Sequence, residues 1–362
     1  MVTANITSED FMNAFRRETV DYFIEQKNGR YGNQSIYNKA IILFTALCIN
    51  WWVLYILAPP IYIAIFLAIT LGAIKAGIGF NVMHDALHGS FRDDRKPIKV
   101  FGYSLRLNKV LGYSLDLLGG DHRVWKWQHN ENHHPHTNVS GQDHDIDLGK
   151  LGRLSPEDPR LWFHKYQHIY IWFLYGLSYI GWKYFFDYGK AKKMGWSGKK
   201  IFLMYVKKFF VNYIPFTILP FILCPWQYAL TIVFVADFAC GLITSTVFQL
   251  AHVVEKTKMY PASEKLVDYD VLHQIKTTAD FGTKSKFLFW YLGGLNFQIE
   301  HHLAYGTSHV HYQVLHKAFL QTCRRFGVER IVFKNMWQAI LSHQRQLKKL
   351  GQADLAERAM FT

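Results

Sequence analysis

The chain has only four cysteines in 362 residues, Cys48, Cys224, Cys240 and Cys323. None forms a CxxC pair and three lie in or beside apolar runs, which argues against a disulfide framework or a cysteine-built zinc site and leaves buried free thiols as the expected state. Acidic residues are scarce too, 27 Asp and Glu against 41 Lys and Arg, a net charge of +14. There is no internal repeat and no low-complexity segment, so neither a solenoid nor a disordered chain is indicated. Gly77-Ile78-Gly79 lacks the third glycine and the strand context of a dinucleotide fingerprint. The first residues are polar and acidic rather than basic and then apolar, so no cleavable signal is expected.

What is abundant is apolar and aromatic, 50% and 17% of residues. By length the chain could build one large domain or two small ones, but its apolar residues are bunched. Runs at 40–57 and 61–82 are each close to the roughly 20 residues that a helix needs to cross a bilayer core, with Pro59 and Pro60 between them. Runs at 209–224 and 227–248 are parted only around Cys224, Pro225 and Trp226. The pattern predicts an all-α integral membrane protein with four transmembrane helices in two hairpins. A tyrosine- and tryptophan-rich stretch at 169–186 is expected to be interfacial or partly embedded, and 100–118, broken by Arg106, Lys109 and glycines, to lie along the surface.

The hairpin tips carry no charge, whereas basic residues crowd the N-terminal segment, the stretch from Arg92 to Lys208 and the region after Lys256. The cluster Lys190, Lys192, Lys193, Lys199, Lys200, Lys207 and Lys208 is the strongest signal. By the positive-inside rule both termini and the central segment are cytoplasmic. The basic excess then suits anionic lipid headgroups or an acidic protein partner better than nucleic acid, which is not expected as a partner. Three parts follow: a cytoplasmic amphipathic segment at 1–39, a membrane domain at 40–320 and a cytoplasmic helical tail at 321–362. In the first, Ser8 is the expected N-cap, with Phe11, Phe15, Tyr22 and Phe23 at helical spacing. Lys75 and Asp237 fall inside spans, each costing roughly 2.5–3.5 kcal/mol at a helix centre. Pairing with each other is one way to offset that; snorkelling, or lining an acyl tunnel, are others.

Histidine carries the chemistry. His84 and His88 are four apart at the end of the second run, one helical turn apart on one face. His129 and His133 repeat that spacing, while His134 is turned about 100° further round an α-helix and could serve a second ion. His301 and His302 follow, with Gln298 four residues before His302. Two isolated histidines at helical spacing are usually surface residues; three clusters on one predicted membrane face are not. Spacing alone defines a multi-histidine metal site, and imidazole suits zinc, copper, iron and nickel alike.

These boxes, His84-x3-His88, His129-x3-His133-His134 and Gln298-x2-His301-His302, resemble those of the membrane fatty acid desaturases, over about residues 60–316 and including the segments around His252, His309 and His311. Gln298 in the leading position is similar to the front-end group, of bacterial acyl-CoA or acyl-lipid type, although Leu303-Ala304-Tyr305-Gly306 departs from its usual Leu-Phe-Pro continuation. The resemblance implies a di-iron centre under a cytoplasmic helical cap, using O2 and two electrons to place a cis double bond in a fatty acyl chain, in a bacterial inner membrane. Zinc could replace iron in a preparation.

It assigns His84, His88, His129, His133, His134, His301 and His302 as ligands, and His252 as completing the shell. Gln298 would bind weakly, through water, or only shape the site, because an amide oxygen is a poor substitute for imidazole. Among nearby carboxylates, Glu131, Asp145 and Asp147 included, Asp85 and Glu300 are the expected partners for the second ring nitrogens. The remaining ten of the 18 histidines are expected to be surface or structural. Without the His-Pro-Gly-Gly stretch of a fused cytochrome b5 domain, electrons are expected from a separate carrier, ferredoxin or cytochrome b5 with its reductase, docking on the basic face. A related membrane hydroxylase is the rival enzyme, differing in whether oxygen returns to carbon. A metal transporter is the non-enzyme rival, but it would want ligands along a path inside the bilayer.

Overall fold

A computed structural model describes residues 7–101, 103–264 and 270–352. It is helical almost throughout. The strands among the described residues are two short pairs, Ile98–Val100 antiparallel to Tyr103–Leu105 and Ala279–Phe281 parallel to Ile331–Phe333. Four helices are long and apolar enough to cross a membrane: Gln34–Leu57, Ile61–Leu87, Gly198–Leu223 and Trp226–His252. The expected four spans in two hairpins are therefore present in an all-α membrane protein.

The helices outrun the apolar runs at their polar ends, because the charges there are satisfied inside the protein. Lys39 is buried and donates to Asn81 at 2.8 Å, so the first helix begins at Gln34. Lys208 is buried on Asp187 at 2.8 Å, and Lys207 pairs with Asp116 and Asp121, so the third begins at Gly198. Two members of the basic cluster are thus spent in internal ion pairs.

The chain forms two compact units. One comprises Gln34–Trp127 and Trp172–Thr246 and holds most of the spans. Ala58, in the left-handed region at φ 42°, and the two prolines after it turn the first hairpin. Pro215 is accommodated by a π-helical stretch, Phe209–Ile218, and its carbonyl accepts from Trp51 Nε1 at 2.8 Å. The second and fourth spans touch backbone to backbone at Gly72, where a Cβ would lie 2.5 Å from the Ala236 carbonyl, the small-residue contact that membrane helices use for close packing.

The stretch at 169–186 is a helix, Gln167–Gly181, continued by the π-helical Trp182–Phe186. It packs on the fourth span at Gly176 and Gly241. Its Lys183 joins the predicted Lys75–Asp237 pair: Asp237 accepts from Lys75 at 2.8 Å and from Lys183 at 3.0 Å, with all three side chains at most 3% exposed. The segment 100–118 forms no continuous helix; it contains Leu107–Gly112 and Ser114–Leu117.

The other unit gathers the described residues of Met1–Asn33, Gln128–Ile171 and Val247–Thr362. Its first helix, Ser8–Glu25, is capped by Thr7 rather than Ser8, in a capping box with Asp10. The hydroxyl of Ser8 instead bonds Asp270. Phe11 and Phe15 bury against Phe319 and Tyr312 of the helix Tyr312–Phe326, in one core with Ile275, Phe297 and Ile299. Gly327 ends that helix at φ 66°, and Met336–Gln352 follows. Residues 353–362 of the predicted tail lie outside the described residues. Cys224, Cys240 and Cys323 are buried as expected, but Cys48 is exposed on the first span.

Candidate metal centre

His84 and His88 come at the end of the second span, directly after a π-helical turn at Gly79–Met83. Gly89, at φ 70°, ends the helix there. Their rings lie 4.6 Å apart and each sits edge-on to Trp125, at 5.9 and 5.8 Å. Spacing by four has placed them on one face as predicted.

The second box is wound differently from the α-helix assumed for it. Trp127–His133 is π-helical, and His134 N–H reaches the His129 carbonyl five residues back at 3.0 Å. The wider turn brings residues five apart onto one face: His129 Nε2 and His134 Nε2 are 3.2 Å from each other. His133 keeps its place beside His129, their rings stacked at 5.1 Å. A helix of six residues, Gln298–Leu303, carries the third box, and Asp280 accepts from the Ile299 N–H at its start. His252 is the last residue of the fourth span.

These elements bring six predicted ligands together. His133, His252 and His302 can place one donor atom each within 4.8 Å of one another, as can His134, His301 and His302, and also His129, His133 and Asp145. Five rings are held through Nδ1: His129 on Asp145 at 2.6 Å, His133 on Asp143 at 2.9 Å, His252 on the Thr277 carbonyl at 3.3 Å, His301 on the Tyr312 hydroxyl at 3.0 Å and His302 on Gln274 Oε1 at 2.8 Å. A ring that donates Nδ1–H presents its Nε2 lone pair, the form in which imidazole binds a metal. The Nε2 of His133 is buried and makes no hydrogen bond. The donor set fits a dimetal site. Gln298 lies beside it, its amide nitrogen 3.3 Å from His252 Nε2.

Of the two carboxylates expected to orient the ligands, Glu300 is engaged elsewhere. Asp145 and Asp143 do this work, Asp143 also accepting from the Asn138 N–H at 2.8 Å. Burial alone would depress the His133 pKa, but Asp143 and Asp145 outweigh it and hold it at about 8; at His129 burial prevails and the pKa is lowered. Glu300 instead accepts from His316 at 2.7 Å, and burial pushes its carboxyl up to about 8. On this short helix the face carrying Glu300 is turned toward the helix Tyr312–Phe326. Asp85 is buried, with its backbone carbonyl accepting from Ser90. Glu131 and Asp147 are exposed.

Sequence reading also missed Gln274 and Tyr312. Gln274 lies far from every box, and Tyr312, in the segment of His309 and His311, carries no local sign of its contact; only folding delivers them. Asp143 could have been found from the alternation Asp143, Asp145, Asp147 following the second box. Of the other histidines, His311 bonds Tyr22 and the Tyr31 carbonyl, His273 the Thr137 carbonyl and His343 the Val253 carbonyl, so these are structural.

Residues 50–334 match the fatty acid desaturase family. Among curated proteins, the chain is 30% identical to an acyl-lipid (8-3)-desaturase of Physcomitrium patens, over 96% of this chain and 73% of the relative. It is 30% identical to an sn-1 linoleoyl-lipid 6-desaturase of a Synechocystis species, over 98% and 100%. It is also 30% identical to a probable Delta(5) fatty acid desaturase of Dictyostelium discoideum, over 82% and 66%. The chain belongs to the fatty acid desaturase family: it is a membrane oxidoreductase that desaturates fatty acyl chains.

Proposed function

We propose that this protein is a front-end acyl-lipid desaturase, placing a cis double bond between an existing double bond and the carboxyl end of an acyl chain on a membrane lipid. The leading Gln298 of the third box supports this, as do relatives named as 6-, Delta(5)- and (8-3)-desaturases, two of them acting on acyl lipids. The observation that carries the reading is the convergence of His129, His133, His134, His252, His301 and His302, five of them with Nδ1 already engaged.

His84, His88 and these six are the ligands, with Gln298 at the edge of the set. Two iron ions held there would supply O2 activation and hydrogen abstraction. Asp143, Asp145 and Gln274 keep their rings aimed and in the Nδ1–H tautomer, and Tyr312 aims the ring of His301. Removal of two hydrogens from the chain, with two electrons and two protons, reduces O2 to two waters. The electrons come from a separate acidic carrier of ferredoxin or cytochrome b5 type, attracted by the basic excess. The placement of that excess argues that both termini and the site face the cytoplasm.

Expression in a host lacking such desaturases, fed linoleate, with fatty acids resolved by position on the lipid, tests this. A new double bond on the carboxyl side of the existing one is expected in the membrane lipids. A product one oxygen heavier, or a bond on the methyl side, would refute the assignment.

A further inference from the structure

Gln274 stands apart from the other groups that hold the box histidines. It is fully buried in a short helix, Val271–Thr277, remote in sequence from every box. Its amide oxygen takes His302 Nδ1 at 2.8 Å and lies 3.0 Å from the Thr137 hydroxyl. Its amide nitrogen donates to the His134 backbone carbonyl at 2.8 Å. One side chain therefore grips a ring of the third box and the backbone of the second.

The donors and acceptors fix which way the amide points. Oxygen must face His302, because His134 offers a carbonyl that can only accept. His302 is thereby held as the Nδ1–H tautomer with Nε2 toward His133, His252, His134 and His301. The backing is also unequal around the site. His129 and His133 lean on carboxylates, which make an imidazole a stronger donor, whereas His302 leans on a neutral amide.

We propose that Gln274 is a positioning residue for the metal centre: it sets the tautomer and aim of His302 and locks the third box to the second, while its neutrality keeps His302 a weaker donor than the carboxylate-backed ligands. The assignment rests on reading these histidines as metal ligands.

The test uses the full-length chain in detergent, stripped of metal and reloaded with Co(II) as a spectroscopic probe. Metal per chain is measured by elemental analysis and affinity by chelator competition, for wild type, Gln274→Met and Gln274→Glu. Gln274→Met keeps the volume but removes all three side-chain hydrogen bonds. It should weaken metal binding roughly 10–100-fold, the usual cost of losing such a partner. Gln274→Glu keeps an acceptor on His302, so it should retain metal and shift the Co(II) absorption, because His302 becomes a stronger donor. A residue that merely fills space would leave Gln274→Met like wild type and give Gln274→Glu no spectral change, and either result overturns the proposal alone. A wild-type chain that takes up no metal overturns the metal reading, and this proposal with it.

Discussion

Replacing Asp237 by Asn should damage the protein far more than replacing either lysine it holds. Asp237 is the single anion between two buried ammonium groups, Lys75 at 2.8 Å and Lys183 at 3.0 Å. Lys183 has a further acceptor in Thr217 at 3.0 Å, and Lys75 lies 4.9 Å over the ring of Phe216. Removing one lysine leaves a one-to-one pair. Removing the charge of Asp237 leaves two cations without a counter-charge, and the new Nδ2 donor faces one of them. Breaking a buried pair in this sense costs about 3–5 kcal/mol. At ~2–4 °C per kcal/mol for domains of a few hundred residues, the apparent Tm should fall on the order of 10 °C. Thermal unfolding of the detergent-solubilised protein at one fixed scan rate measures this, with Lys75→Met and Lys183→Met alongside. The triple variant Lys75→Met, Asp237→Leu, Lys183→Met should recover most of the loss, since apolar replacement of a whole buried ion cluster is often neutral. A Tm for Asp237→Asn within a degree or two of wild type would show that the three groups are not an electrostatic unit.

Gln298→Ala is expected to keep most bound metal whereas His302→Ala loses it, and equal losses by elemental analysis would remove the distinction drawn between amide and imidazole. Asp143→Asn should weaken metal binding roughly 10–100-fold by freeing the His133 ring, which chelator competition reads directly; unchanged affinity would mean that Asp145 suffices. His343 is buried with its Nδ1 on the Val253 carbonyl at 2.6 Å, and burial holds its pKa at about 4. Its contribution is complete above the unfolded pKa near 6.5 and is lost as pH falls toward 4, about 3 kcal/mol at most. His343→Gln should therefore flatten the acid limb of the stability profile between those values, and an identical limb in the variant would discount the burial argument.

Much of the site was legible along the chain because its signals are local. Helical spacing puts His84 and His88 on one face whatever surrounds them, and a bilayer demands uninterrupted apolar runs, so the boxes and the four spans are written in order. Lys75 and Asp237 could be paired from composition, since two opposite charges inside spans have few other partners. The π-helical winding of the second box was not legible, because nothing in WQHNENH distinguishes a five-residue turn from a four-residue one; it is the tertiary setting that draws His129 and His134 together. Glu300 looked like a ligand partner by adjacency and is not one, since neighbours on a helix point about 100° apart.

The sequence by itself determined the membrane class, the metal-binding residue types and the chemistry they imply, because each depends on hydropathy and spacing over one or two dozen residues. Only the tertiary structure decided who holds those residues in place. Asp143, Gln274, Tyr312 and Lys183 act across gaps of 10 to 54 residues from their partners. Such a contact is fixed by where separate helices come to rest, and no periodicity in the chain encodes it.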